Sequence, residues 1–320
     1  MSRMFEIVLA LAAGGLFVVS ILLFLGGSFS AIEVATNFRP HLLAVAVVVL
    51  VVAAVLHRPA VALSLAAIVA LSPSTLPYLG SGDVAVSSDA PEITVLQYNT
   101  LYLNDDVRSI ADEVLQSQAD VVALHEMTDY RWQDLAPLIE EEYPFHVSGL
   151  DEPLAEVRRF ASILLSRSPL QAFSTDEGLA PIAAVTQLHG HDVLAVALHP
   201  SPSRTDGVRI AQRHTLLQAT RELVVSHDGP ALVITDLNIA PTSPEYQDFI
   251  AQLGWVDPRR DLGIAPTFPV GILNRVGIAI DHVLASRELS VTGYQLGDGG
   301  GSDHRSLIAS VAFGSESSPA

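Results

Sequence analysis

Residues 231–238 have the sequence ALVITDLN, an apolar run that ends in the carboxylate of Asp236 and the amide of Asn238. A short apolar run rich in β-branched residues predicts a buried strand, here Ala231–Thr235. A single acid at the end of a strand is most often a turn or capping residue. The meaning of this stretch therefore depends on whether the pattern recurs elsewhere in the chain.

The pattern recurs at five other places, where an apolar segment meets an acid, an amide or an imidazole. Polar groups at strand ends converge at one rim of a sheet, which is where ligands commonly bind. Six such ends in one domain predict a functional site rather than a coincidence. The additional polar residues are Asn99, His125-Glu126, His199, Asp281-His282 and Ser302-Asp303-His304.

The surrounding sequence alternates between strand and helix patterns. Mixed strands and helices indicate a layered α/β or α+β domain, which we assign to residues 92–314. Residues 81–91, rich in Ser, Gly, Asp and Pro, are predicted to be a linker, and residues 315–320 a disordered tail. We predict strands at 93–98, 120–125, 161–166, 183–188, 192–198, 277–285 and 306–313, and helices at 107–118, 207–226 and 244–253.

The first 80 residues differ in composition from the rest of the chain. An uncharged run over residues 7–32 exceeds the roughly 20 residues needed to cross a bilayer, and two more apolar runs follow. We predict a membrane anchor over residues 1–80 with three transmembrane helices, at about 5–27, 40–57 and 59–80. Two alternatives remain open: a cleaved signal peptide for the first run, and a buried core hairpin for the other two.

The few cations of the anchor predict its orientation. Arg3 precedes the first span and Arg58 lies between the second and third, whereas Arg39 and Glu33 offset each other in the intervening loop. We therefore expect the N-terminus and Arg58 on the cytoplasmic side. Three crossings then make this a multi-pass protein of the cell membrane, with its C-terminal domain extracytoplasmic and its anchor in contact with the lipid bilayer.

Charge and cysteine content narrow the functional classes. The chain has 17 Arg, no Lys and 35 acidic residues, a net charge of -18. Such acidity does not favour tight binding to a polyanion, because nucleic-acid affinity comes largely from cations on the protein. The acidity suits a domain that binds a divalent cation, and it equally suits a domain whose acidic surface serves solubility alone. The absence of cysteine excludes disulfides, thiolate nucleophiles and thiolate zinc sites.

In chain order, the polar strand ends resemble the endonuclease/exonuclease/phosphatase superfamily, the DNase I-like fold, over about residues 92–314. Thr267-Phe268-Pro269 also looks like the aromatic-containing loop of that family. Two departures occur: Thr235-Asp236-Leu237-Asn238 stands where the family has Gly-Asp-Phe-Asn, and His125 stands where it often has Gln. The resemblance implies an α/β (α+β) four-layer sandwich, with two central mixed β-sheets flanked by helices and preceded here by N-terminal transmembrane helices.

The resemblance also implies a metal site. Asn99, Glu126 and Asp303 would hold or neighbour Mg²⁺ (or Mn²⁺), because hard oxygen ligands suit these ions. The implied activity is that of a divalent-metal-dependent phosphoester hydrolase: a phosphodiesterase, nuclease or phosphatase. Its substrate would be a nucleic acid, a phospholipid head group or a small phosphoester, and no protein partner is predicted.

Roles for the other site residues follow from the same resemblance. His304 would act on the attacking water or bind the scissile phosphate, while Asp281 orients its ring. Asp236 would orient or deprotonate the water, Asn238 would bind a phosphate oxygen, and His199 would support the phosphate or the leaving oxygen. Which group is the formal base stays open.

Two other classes of function compete with this reading. A non-catalytic binding or sensor module on the same fold would be expected to lose at least one site residue, yet the set is intact. A transporter or channel would need an ion path, which so few spans with little buried charge do not offer. Among neighbouring residues, His282 is read as structural, His125 as a tolerated replacement or a supporting partner, and Arg209 and Arg213 as a solvated helix face or a phosphate contact.

Overall fold

The structure is a computed structural model that describes residues 3–25, 29–56, 58–80, 90–151, 161–173, 181–202, 207–269 and 276–314. Most of the predicted linker, residues 81–89, and the predicted tail at 315–320 lie outside the described residues.

Four helices form the N-terminal region: α1 (Arg3–Leu22, continued by a 3-10 turn at Leu23–Leu25), α2 (Ser30–Thr36), α3 (Arg39–Leu56) and α4 (Arg58–Thr75, followed by a 3-10 turn at Leu76–Tyr78). Three segments are long and apolar enough to cross a membrane: Arg3–Leu25, Arg39–Leu56 and Ala60–Tyr78. Leu11, Val48, Val55 and Val69 are 62% to 79% exposed. An apolar surface of this kind fits lipid contact better than a buried core hairpin.

Two β-sheets form the centre of the C-terminal domain. The first contains β1 (Glu92–Asn99), β2 (Val121–Met127), β3 (Phe145–Ser148), β4 (Ala161–Ser166), β10 (Leu289–Leu296) and β11 (Leu307–Phe313), in the order β10-β11-β1-β2-β4-β3. The second contains β5 (Leu170–Ala172), β6 (Ile182–Leu188), β7 (His191–Leu198), β8 (Ala231–Asp236) and β9 (Asp281–Ala285), in that order.

Helices cover the outer faces of both sheets. Helices α5 (Val107–Ser117) and α6 (Asp129–Ile139) pack on the first sheet. Helices α7 (Gly207–Ser226) and α8 (Pro244–Leu253) pack on the second sheet. A short helix, α9 (Pro258–Leu262), follows α8. Alternate residues of each strand, such as Val95 and Ile234, pack between the sheets. The result is the predicted four-layer sandwich of two mixed sheets flanked by helices.

The connections bring the polar strand ends to one rim. Strands β1 and β2 are parallel with α5 between them, and β7 and β8 are parallel with α7 between them. The carboxyl ends of all four strands therefore point the same way. Strand β9 runs antiparallel to β8, so that Asp281 at its start pairs with Asp236 at the end of β8. The loop before β11 reaches the same rim, because β11 runs antiparallel to β1.

Several elements differ from the sequence prediction. The strand predicted at 277–285 is a ladder only over Asp281–Ala285, because Ile278 makes an isolated bridge to Phe268 instead. Helices α2, α6 and α9 and strands β3, β5 and β10 were not predicted. The three strands lie at sheet edges, where one-sided pairing leaves a weaker apolar pattern in the sequence.

Candidate active site

Polar side chains from both sheets meet at this rim. The Asn99 side-chain nitrogen lies 3.3 Å from Glu126 Oε1 and 2.9 Å from Asp236 Oδ2. His199 Nε2 lies 3.4 Å from the same Asp236 oxygen. The rim brings together all eight residues that the sequence predicted for the site: Asn99, Glu126, His199, Asp236, Asn238, Asp281, Asp303 and His304.

An imidazole–carboxylate pair lies at the centre of the site. His304 Nδ1 is 2.9 Å from Asp281 Oδ2, and the other Asp281 oxygen accepts a 2.7 Å hydrogen bond from Gln97. His304 Nε2 faces Asp236 Oδ2 at 3.8 Å, and the Phe268 ring packs 4.8 Å from the imidazole. Asp281 thus fixes the ring and leaves Nε2 directed into the site.

The loop before β11 holds His304 in place through hydrogen bonds of Ser302 and a tight turn at Gly299. The Ser302 hydroxyl donates to the Asn99 carbonyl at 2.7 Å and accepts the His304 backbone N–H at 3.0 Å. Gly299 has a φ of +86°, and a Cβ there would lie 2.2 Å from the His304 carbonyl oxygen. The loop therefore requires glycine at this position in order to bring His304 back to the rim.

A β-bulge directs Glu126 into the site. The pairing of β2 with β4 shifts between Leu124 and Met127, and Glu126 has a left-handed φ of +58°. Bulges next to active sites re-aim side chains in this way. The buried Arg131 donates to the carbonyls of Glu126, Leu101 and Asn104 and so ties the bulge to the adjoining loop.

Asn238 has a similarly constrained backbone. Its φ is +56°, its N–H donates to Asp236 Oδ1 at 2.8 Å, and its side-chain nitrogen lies 3.0 Å from the Pro200 carbonyl and 3.3 Å from His199 Nε2. A left-handed residue other than glycine persists only where its surroundings enforce it. These contacts hold the Asn238 amide beside both Asp236 and His199.

Charge in the site is divided between carboxylates and imidazoles. Burial alone would lower the pKa of His304, but Asp281 and Asp236 outweigh it and raise the pKa to about 10. Burial would also lower the pKa of His199, but the hydrogen bond to Asp236 outweighs it and raises this pKa. Burial would raise the pKa of Asp236, but the two imidazoles hold it well below its usual value. At neutral pH His304 is therefore cationic and Asp236 is ionised, and the raised pKa of His199 favours its charged form.

The donors present fit a hard divalent cation. Burial raises the pKa of Asp303; His304 opposes this rise, and the charges of Glu126 and Asp236 add to it. This repulsion between carboxylates is what a bound cation would relieve. The side chains of Glu126 and Asp303 are 16% and 45% exposed, so an ion can reach them from solvent.

A second group of ligand atoms lies nearby. Among the described residues, Asp236, Asp281 and His304 place ligand atoms within 4.8 Å of one another. Both Asp281 oxygens are already hydrogen-bonded, and His304 Nδ1 is occupied by Asp281. This group is better explained as a hydrogen-bond network. Glu126 also accepts hydrogen bonds, from the Asn99 amide and the Tyr102 N–H, but its side chain and that of Asp303 are the more exposed carboxylates of the rim. Asn99 Oδ1 accepts the Leu101 N–H at 3.0 Å and keeps a second lone pair, so the predicted place of Asn99 in or beside the metal site stays a prediction.

Two histidines beside the site residues have structural contacts. His282 Nε2 lies 2.9 Å from the Ile239 carbonyl oxygen, and its ring packs 4.7 Å from Tyr246, as its structural interpretation predicts. His125 is fully buried, with Nδ1 2.8 Å from the Ser162 hydroxyl and its ring 5.8 Å from His199. Of its two predicted readings, the contacts favour that of a supporting partner.

The sequence prediction missed three residues that position the site. Gln97 bonds to Asp281, Arg131 holds the Glu126 bulge, and Arg259 donates to the Asp281 carbonyl at 2.5 Å. A signal for Gln97 was present, because it lies two residues before Asn99 and therefore on the same face of β1. No comparable signal existed for the arginines, since an arginine on an amphipathic helix usually faces solvent.

The fold and this rim define a class of protein. A four-layer sandwich with an imidazole–carboxylate pair, several carboxylates and amides at one rim is the architecture of DNase I-like phosphoesterases. The sequence model of the Endonuclease/Exonuclease/phosphatase family matches residues 96–304. The chain therefore belongs to this family.

Solved structures have the same fold at low sequence identity. An endonuclease/exonuclease/phosphatase from Beutenbergia cavernae is 20% identical with a TM-score of 0.53, covering 70% of this chain and 72% of that one. The human Nocturnin catalytic domain with bound sulfate is 19% identical with a TM-score of 0.54, covering 72% and 96%. Sphingomyelinase C from Streptomyces griseocarneus is 17% identical with a TM-score of 0.52, covering 69% and 99%. A search of curated protein sequences gives no match.

Proposed function

We propose that this chain is a membrane-anchored, divalent-metal-dependent phosphoester hydrolase. The observation that carries the proposal is the pairing of His304 with Asp281 at 2.9 Å, directed at Asp236 and beside the partly exposed carboxylates of Glu126 and Asp303. Hydrolysis of a phosphoester needs a positioned water, cations that bind the phosphate and a group that stabilises the leaving oxygen. The site contains side chains for each of these tasks.

Glu126 and Asp303 would hold Mg²⁺ or Mn²⁺, which when bound polarises the phosphoryl group and stabilises the developing negative charge. Asp236 is ionised and orients the attacking water, from which it accepts a proton. His304 is held cationic by Asp281 and binds a non-bridging phosphate oxygen. Asn238 donates a hydrogen bond to a phosphate oxygen, and the leaving oxygen takes a proton from the charged form of His199 as the P–O bond breaks.

The anchor supports a membrane location with the catalytic domain outside the cytoplasm. Contacts with this domain involve Asn37, Arg39 and Tyr78, which lie at one end of the helix bundle. Arg3 and Arg58 begin α1 and α4 at the opposite end. By the positive-inside rule, that end is cytoplasmic. A reporter fused after Ala320 tests this placement: a reporter active only in the cytoplasm must be silent, and one active only outside must work.

The catalytic proposal is tested on the full chain in detergent, with bis-p-nitrophenyl phosphate and plasmid DNA as substrates. We expect hydrolysis with Mg²⁺ or Mn²⁺, and loss of turnover with chelator. Glu126→Ala should nearly abolish turnover, while Glu140→Ala, at the exposed end of α6, should leave it unchanged. Activity that survives both chelator and Glu126→Ala would rule out the metal mechanism. Inactivity on a broad phosphoester panel would favour the non-catalytic binding module.

A further inference from the structure

The segment between α1 and α3 packs against the loop that follows Asn238. Asn37 Oδ1 accepts the Ala240 N–H at 2.8 Å, and the Asn37 nitrogen lies 3.4 Å from the Asn238 carbonyl. Arg39 Nη1 donates to the Thr242 carbonyl at 2.7 Å. Asn37 and Arg39 are 6% and 3% exposed. The anchor is thus bonded directly to a loop of the active site.

Ion pairs reinforce this contact. Arg213 of α7 pairs with Glu33 of α2 and with Glu245 of α8. Arg213 and Glu33 are each 1% exposed, so the predicted solvated face at Arg213 is wrong. A charged pair is taken out of water only where packing encloses it. The contact between anchor and catalytic domain is therefore a packed interface with a defined geometry.

A cavity of about 220 Å³ lies within this interface. One wall is formed by Pro40, His41 and Ala44 of α3, and the other by the segments 240–242 and 276–279. The lining is predominantly apolar. Both segments lead to site residues, because Ala240 follows Asn238 by two positions and Ala279 precedes Asp281 by two. Asn37, which also lines the cavity, bonds to the Asn238 carbonyl and the Ala240 N–H, so the cavity lies between the first turns of α3 and the loop that follows Asn238.

The position along α3 places the cavity at the membrane interface. Ala44 lies five residues after Arg39, which is about 7.5 Å along a helix axis at about 1.5 Å per residue. Each interfacial layer of a bilayer is roughly 5–8 Å deep, from a total of about 40–45 Å and an apolar core of about 30 Å. With Arg39 at the outer surface, the cavity lies where head groups meet acyl chains.

We propose that this cavity binds the apolar segment next to the phosphate of a membrane lipid, and that the substrate is a lipid phosphoester that remains in the bilayer. This inference rests on the proposed hydrolase function. At about 30 Å³ per group, the volume holds about seven non-hydrogen atoms, which is enough for the part of a lipid next to its phosphate. Pockets for whole small-molecule ligands are larger, about 300–1,000 Å³. The net charge of -18 disfavours a nucleic-acid polyanion but tolerates a single phosphate.

The test measures binding of methyl, butyl and octyl phosphate to the full chain in lipid nanodiscs with Mg²⁺, by titration calorimetry against empty nanodiscs. Each methylene that enters the cavity should raise affinity about fourfold. We expect butyl phosphate to bind at least tenfold more tightly than methyl phosphate. Ala44→Phe fills the cavity and should bring this ratio close to one. Val45→Phe adds the same ring at the same depth on an exposed position outside the lining, and should keep the wild-type ratio.

A ratio near one in the wild type, or an equal ratio in wild type and Ala44→Phe, would overturn the inference. Turnover of bis-p-nitrophenyl phosphate is measured in parallel, and Val45→Phe should keep the wild-type rate. A fall of soluble turnover in Ala44→Phe that matches its loss of binding would mean that the ring damages the site, and would also overturn it. Turnover without any chain-length effect would refute the lipid cavity alone, whereas a chain-length effect without turnover would refute the hydrolase function alone.

Discussion

Asp281 begins a strand of the second sheet and His304 lies in the loop before β11 of the first sheet, yet His304 Nδ1 lies 2.9 Å from Asp281 Oδ2. The pair is buried, and the second carboxylate oxygen accepts from Gln97. Asp281, itself held by Gln97 from a distant part of the chain, thus defines the orientation and charge of the His304 imidazole. This relationship supports the first prediction.

Asp281→Asn should lower kcat for bis-p-nitrophenyl phosphate by about 10²–10⁴-fold, the usual contribution of a positioned acid–base group. The amide no longer favours the charged imidazole, so the pKa of His304 should fall from about 10. The pKa is measured from the His304 ring resonances by NMR at varied pH. Asp261→Asn, at an exposed position of α9, is the control and should change neither quantity. An unchanged kcat in Asp281→Asn would contradict the role of the pair.

Metal binding should depend on Glu126 and much less on His304. We expect Glu126→Gln to weaken Mn²⁺ binding at least tenfold, measured by the electron paramagnetic resonance of free Mn²⁺, because it removes the carboxylate charge. His304→Gln should stay within about threefold of the wild type. The opposite order would assign the ion to the Asp236, Asp281 and His304 group instead.

Arg131→Leu should destabilise the site and the fold together. Its guanidinium donates to three backbone carbonyls and to the Thr128 hydroxyl, and these acceptors would lose their partner. We expect the free energy of unfolding to fall by about 3 kcal/mol or more, and Tm by roughly 6–12 °C, measured by circular dichroism in detergent. Arg108→Leu, on the exposed face of α5, should shift Tm by less than about 2 °C.

Asn37→Ala should slow turnover although Asn37 lies in the anchor. Its two hydrogen bonds hold the backbone of Asn238 and Ala240, and small displacements of a phosphate-binding group are costly. We expect kcat for the soluble ester to fall about tenfold with little change in Tm. Asn37→Asp keeps the acceptor for the Ala240 N–H and should retain part of the rate. The neighbouring exposed Phe38→Ala is the control, and an equal loss there would mean that general loosening of the anchor is the cause.

His282→Gln should reduce the acid sensitivity of the fold. Burial lowers the pKa of His282 from 6.5 to about 3, so the unfolded chain binds one more proton than the native chain between these values. Stability from the neutral ring is complete above pH 6.5 and is lost as the pH falls towards 3. Gln preserves a donor to the Ile239 carbonyl but does not titrate. The slope of unfolding free energy against pH should decrease by about 1.4 kcal/mol per pH unit within this window, and an unchanged slope would contradict the assignment.

Much of the site could be predicted from sequence because its residues are adjacent to strong local patterns. Asp236, Glu126 and His199 each follow an apolar strand, and parallel strands with intervening helices bring such ends to a common rim. The apolar runs of the anchor were equally visible, since the length of a membrane span is set by bilayer thickness. Short edge strands such as β3 and β5 were missed, because four or three residues carry too little periodicity.

The amino-acid sequence by itself determined the layered fold and the three apolar helices, because these depend on local pattern, and it identified the eight residues at the rim through polar strand ends that resemble those of the family. Only the tertiary structure decided that Gln97 and Arg259 support Asp281, that Arg131 holds Glu126, and that Asn37 contacts the loop of Asn238. Each of these contacts joins residues of separate elements, which meet only when those elements pack together. Such long-range contacts leave no periodic trace in the chain, and the contacts of Asn37 and Arg39 with the loop after Asn238 are of this kind.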